Sequence, residues 1–104
     1  MTETQRNITR YQLKQWGNNC CTGFYEVKWQ SCIANALNYY DEVNNVISQL
    51  IYLKFKKHKT KAEICDILYI GSTTYNNYKK EFYSTLAIYA ASRGCFNKVF
   101  GGLQ

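Results

Sequence analysis

Apolar residues recur along this chain at the three- and four-residue steps of a helix rather than the two-residue step of a strand. The pattern is sharpest from Glu63 to Phe82. Ile64, Ile67 and Leu68 form one apolar stripe, a short glycine-containing interval follows, and Tyr75, Tyr78, Phe82, Leu86 and Tyr89 form a second. Thr60 and Glu63 have the T-x-x-E spacing of a capping box, in which hydroxyl and carboxylate each take an orphan backbone N–H. The second helix is expected to open at Ser72 or Thr73, either of which suits an N-cap. Gly71 is expected to supply the positive φ of a sharp reversal. Two short packed helices joined this way predict a helix-turn-helix.

Upstream the periodicity is looser. Residues 4–16 predict a short helix held by Ile8, Tyr11 and Leu13 and anchored by Trp16. GNNCCTG, residues 17–23, reads as a loop. Trp29, Ile33, Ala36, Leu37 and Tyr40 then recur at helical spacing. Asp41 and Glu42 suit the first turn of a helix, where carboxylates meet the positive end of its dipole, and Val43, Val46, Ile47, Leu50 and Ile51 follow. The pattern leaves open whether that helix is separate from the one before it. Arg93 suits the last turn of the final helix and Gly94 its left-handed closing residue. Beyond it, Phe96 and Phe100 either pack back or fray.

The expected class is therefore all-α: a small helical domain with a C-terminal helix-turn-helix. The 104 residues contain no proline and six glycines, which leaves long uninterrupted helical stretches, and 46% are hydrophobic, enough for one modest core. One domain spans residues 1–104. Residues 1–40 are a helical segment to which no role is assigned, and residues 41–94 are a helix plus the helix-turn-helix, the expected DNA-binding core.

Charge changes this picture because of where it falls. Residues 1–52 hold four basic side chains, Arg6, Arg10, Lys14 and Lys28, against the four acidic ones of Glu3, Glu26, Asp41 and Glu42. Residues 53–104 hold nine basic side chains against Glu63, Asp66 and Glu81, so the net +6 lies in the half containing the two-helix motif. Such a half is suited to a polyanion.

On a helical wheel the side of the last helix opposite Tyr75, Phe82 and Leu86 carries Thr73, Asn77, Lys80 and Ser84, with Asn76 at its edge. In a helix-turn-helix the second helix enters the major groove and residues near its start meet base edges. Asparagine can bond adenine in bidentate fashion, lysine can reach guanine, and a hydroxyl serves either. Ser72, Thr73, Asn76, Asn77 and Lys80 are thus the candidate base readers. A solvated helix face has a similar composition; the turn and core pattern around this one favour double-stranded DNA. Lys54, Lys56, Lys57, Lys59, Lys61 and Lys79 are the candidate phosphate contacts, giving affinity without sequence.

Other chemistry finds little support. The one histidine, His58, lies in a lysine run, the seven carboxylates are scattered, and Gly71-Ser72 lacks the surroundings of a nucleophile elbow, so no catalysis and no cofactor are expected. The five cysteines Cys20, Cys21, Cys32, Cys65 and Cys95 lack paired short spacings, so no metal is expected. Their odd number and an amino terminus without a signal-peptide core predict free thiols in a reducing compartment. No apolar run reaches the roughly 18 residues of a membrane span. Most of the ten tyrosines fall at core spacing. Tyr39, Tyr52, Tyr69 and Tyr83 are left to suit a subunit contact, hence a homodimer.

From Val46 to Ala91 the chain resembles the ArpU and RinA type of phage late transcription regulators, related to sigma-factor region 4. The resemblance rests on a basic stretch, then Glu63, Ile64 and Leu68, then Ser72, Thr74 and Tyr75, then Tyr78, Lys79 and Lys80, with Ala87, Ala90 and Ala91 near the end. Cys65 stands where the motif usually has alanine and Tyr69 where it usually has the turn glycine. The resemblance implies activation of late packaging, structural or lysis genes in the cytoplasm of a bacterial host, through contact with RNA polymerase. Two alternatives stay open: a protein-binding adaptor or inhibitor acting on a regulator or polymerase, and a DNA-recognition subunit of a packaging terminase.

Overall fold

The computed structural model describes residues 2–18 and 24–95, which form helices and no strand. They are α1 (Glu3–Gly17), α2 (Phe24–Val43), α3 (Asn45–Phe55), α4 (Lys61–Leu68) and α5 (Ser72–Ser92). The all-α class expected from periodicity is the one observed. Of the expected 17–23 loop, Gly17 closes α1 and Asn18 caps it, while residues 19–23 lie outside the described residues, as do Phe96 and Phe100.

Thr2 and Gln5 start α1 with a reciprocal capping box, a signal the apolar pattern does not carry. Leu13 and Trp16 are buried as expected, but Tyr11 is exposed. Its place is taken by polar residues, Thr9 and Gln12, both buried. The Thr9 hydroxyl donates to the Gln5 carbonyl at 2.8 Å, so its burial leaves no unpaired donor.

The break between α2 and α3 falls at Asn44, whose φ of −161° takes the chain out of helix and whose Oδ1 accepts from the Val46 N–H. Asp41 and Glu42 consequently sit in the last turn of α2, not in the first turn of the next helix. An asparagine N-cap satisfies an orphan N–H directly, and here it outweighs the dipole preference of the carboxylates. Asp41 still serves α3 by accepting from Ser48 Oγ at 2.7 Å.

The Thr60–Glu63 box starts α4 as expected, and the bonds it gives Glu63 hold that carboxyl below its usual range. Ile64 is fully buried and Leu68 half-buried, whereas Ile67 is 48% exposed, so the first stripe is narrower than its spacing suggests. The turn differs too. Tyr69, not Gly71, is left-handed, with φ 56° and ψ 46°. That conformation brings the Ile70 N–H to the Cys65 carbonyl at 3.1 Å and closes α4. Gly71 is extended at φ −83° and is itself the N-cap of α5, without a side-chain bond; Ser72 and Thr73 are inside the helix rather than capping it. The left-handed residue is fixed by the end of α4, two positions before the glycine. Tyr69→Gly is accordingly expected to stabilise the fold by about 1 kcal/mol, read as a higher midpoint in thermal unfolding.

Tyr75, Phe82, Tyr83, Leu86 and Ala90 of α5 are buried. The helix gives way at Arg93, and Gly94 takes φ 72°, as expected. Tyr40 of α2 joins α5 through its ring, 5.8 Å from that of Phe82, and through its hydroxyl, 2.7 Å from Thr85 Oγ1. Two further contacts tie distant parts of the chain. Buried Cys32 and Cys95 lie Sγ to Sγ at 3.8 Å. The end of α1 rests on the end of α3 so closely that a Cβ on Gly17 would fall 2.1 Å from the Phe55 carbonyl oxygen.

Candidate nucleic-acid interface

Burying Tyr75, Phe82 and Leu86 fixes which side of α5 is left outside. Ser72, Thr73, Asn77, Lys80 and Ser84 are exposed, and Asn76 is half-buried at the margin. Asn76 Oδ1 accepts from Lys61 Nζ at 3.3 Å, so one arm of the amide already has a partner. Glu81, also exposed, borders the ridge and sets a negative limit to it.

The lysine run before α4 does not form one patch. Lys56 Nζ donates to the Trp16 carbonyl at 2.8 Å and lies 4.6 Å from the Trp16 ring, so this ammonium fastens α1 to the end of α3. Lys57 lies over Tyr52, and Lys61 over Tyr75. Lys57, Lys59 and Lys61 are exposed, whereas Lys54 and Lys79 are half-buried.

Lys54 and Lys79 instead meet basic residues that the count by halves had cancelled. Arg6, Arg10 and Lys14 are spaced by four residues, which puts them on one stripe of α1. The packing of α1 against α3 and α5 brings that stripe alongside the two lysines. One cleft of about 440 Å³ is lined by Arg10, Lys14, Asn18, Lys54, Phe55, His58, Lys79 and Tyr83. An adjoining one of about 530 Å³ is lined by Arg6, Arg10, Lys79, Lys80, Tyr83 and Ser84. The i, i+4, i+8 spacing of the α1 cations was the available signal.

Burial, reinforced by Lys79, Lys14 and Arg10, pushes the Lys54 ammonium below its ordinary pKa. Burial, with Arg10, Lys61 and Lys80, does the same to Lys79. Tyr83 is pushed up to about 12, chiefly by burial, with the nearby Arg10 charge opposing the rise. It is a neutral phenol near neutral pH.

Elsewhere, Leu37, Tyr52, Leu53 and Ile67 line an apolar groove of about 460 Å³ between α2, α3 and α4. Among the described residues no cluster of three or more histidine, cysteine or acidic side chains could hold a metal ion, and no helix is long and apolar enough to cross a membrane. Comparison with protein-family models, curated proteins and solved structures finds no match to this chain.

Proposed function

We propose that this chain is a sequence-specific double-stranded DNA-binding regulator that places the first turns of α5 in the major groove. The observation that carries the reading is the division of α5. Its inner side is anchored by Tyr75 and Phe82, while its outer side offers Thr73, Asn77 and Lys80 beside a concentration of cations. Short amide, hydroxyl and ammonium arms on a rigid helix suit base edges, and neighbouring cations suit phosphates. Ser72, Thr73, Asn76, Asn77 and Lys80 read bases; Lys54, Lys57, Lys59, Lys61 and Lys79 neutralise the backbone. The protein acts by positioning, without catalysis. On the sequence resemblance, its role is activation of phage or mobile-element late genes, with RNA polymerase as a second partner; exposed Tyr39, Tyr52 and Tyr69, though not buried Tyr83, suit a homodimer contact.

Engaging about five phosphates gives a slope of roughly −4 to −5 in log K against log salt. Asn77→Ala is expected to relax preference at one base pair at a cost of about 1–3 kcal/mol, and Lys57→Ala to weaken all duplexes alike. Fluorescence anisotropy on a panel of duplexes reads both. Wild-type affinity of both variants for every sequence would refute the assignment.

The apolar groove beside Ile67 favours a second reading, a protein-binding adaptor. A tight protein complex with negligible, salt-insensitive DNA binding selects it. A ring-shaped oligomer in light scattering would instead select the packaging-terminase role.

A further inference from the structure

We propose that the cleft between α1 and α5 is a phosphate-binding site in which Arg10, Lys79 and Tyr83 hold one phosphate group. On the DNA reading above, on which this source of the ligand rests, the group belongs to a backbone strand running beside the α5 ridge.

Arg10, Lys79 and Tyr83 line both adjoining clefts and so form their common wall. Cations reach it from three elements: Arg6 and Lys14 from α1, Lys54 from α3, and Lys80 from α5. Among the described residues no carboxylate lines either cleft. Like charges four residues apart on a helix repel, and α1 carries two such steps in succession. The repulsion serves no packing purpose visible in the fold, and an anion would offset it.

The donors also fit. A guanidinium fork and a partly dehydrated ammonium suit phosphate oxygens, because neither must shed a full hydration shell on binding. Arginine and the lysine ammonium can only donate, and the Tyr83 hydroxyl beside them has a proton to offer an anion. The wall is therefore made of three donors. Lys80 and Ser84 belong both to the second cleft and to the outer side of α5, so a strand flanking the ridge passes over the site.

The test compares the full chain with the Arg10→Gln/Lys79→Gln double variant, with Lys28→Gln as a basic control outside the cleft. Folding is checked by circular dichroism, and Lys79→Gln alone replaces the double variant if that fails to fold. Duplex binding is measured by anisotropy across a salt series. Thermal unfolding is followed with sodium pyrophosphate against sodium chloride at equal ionic strength. The double variant is expected to lose about tenfold or more in affinity for every duplex and to flatten the salt slope by roughly one, at about 0.9 per phosphate contact. Lys28→Gln should match the wild type. Pyrophosphate should raise the wild-type midpoint by more than the double variant's.

If the wild type binds duplexes and the double variant binds them identically, the phosphate site is overturned while the DNA reading stands. If the wild type ignores duplexes but pyrophosphate still separates it from the variant, the DNA reading fails and the cleft takes a free phosphate compound. If neither ligand distinguishes the proteins, the site is overturned; if an acidic protein alone does, the ligand class is wrong.

Discussion

Gly17→Ala is expected to destabilise the protein by several kcal/mol, the largest effect anticipated for the loss or gain of a single methyl group here. The new Cβ would lie 2.1 Å from the Phe55 carbonyl oxygen and 2.7 Å from its carbon. Both are backbone atoms, so relief requires α1 and α3 to separate. Overpacking a close contact typically costs about 1–3 kcal/mol, and a backbone obstacle belongs at or above the upper end. Parting these helices also strains the Lys56 bond to the Trp16 carbonyl. The check is equilibrium urea unfolding with Gly71→Ala as comparator, since a Cβ at Gly71 meets nothing within 4 Å. Equal midpoints for Gly17→Ala and wild type would show that the two helix ends are not in contact.

Phe82→Ala is expected to cost about 3–5 kcal/mol, the range for truncating a buried phenylalanine. Its side chain is fully buried and faces the Tyr40 ring, so truncation opens a cavity where α2 meets α5. Against a total of about 5–15 kcal/mol for a domain of this size, such a loss brings the variant close to unfolding. Phe82→Leu should recover much of it by refilling the space. The same urea titration separates the two, and a wild-type midpoint for Phe82→Ala would mean that its ring is not packed between α2 and α5.

Much of the architecture was legible because burial imposes periodicity. Trp29, Ile33 and Tyr40 on α2, and Tyr75, Phe82 and Leu86 on α5, announce their inward faces by spacing alone. Helix ends were legible where a side chain performs the cap, as at Thr60, and not where competing signals lay close together. Asn44 outweighed Asp41 and Glu42, and the left-handed residue followed the end of α4 to Tyr69 rather than the nearest glycine. Gly17 looked like loop punctuation because its use is a contact with Phe55, far along the chain.

The candidate site was half legible for a related reason. The outer side of α5 follows from its inner side. The cleft does not, because Arg10 and Lys79 become neighbours only when α1 packs on α5. A charge sum over each half of the chain averages away the stripe on α1 that tertiary structure then sets beside Lys54 and Lys79.

The paired sulfurs of Cys32 and Cys95 give the molecule an internal clock. Both side chains are wholly buried, and burial, with Cys32 beside it, pushes the Cys95 thiol up to about 11. An alkylating reagent needs a thiolate within reach. Neither buried sulfur is within reach until α2 and the segment just after α5 come apart, so their modification rate measures how often that end of the bundle breathes. Half-exposed Cys65 on α4 supplies the fast reference in the same reaction.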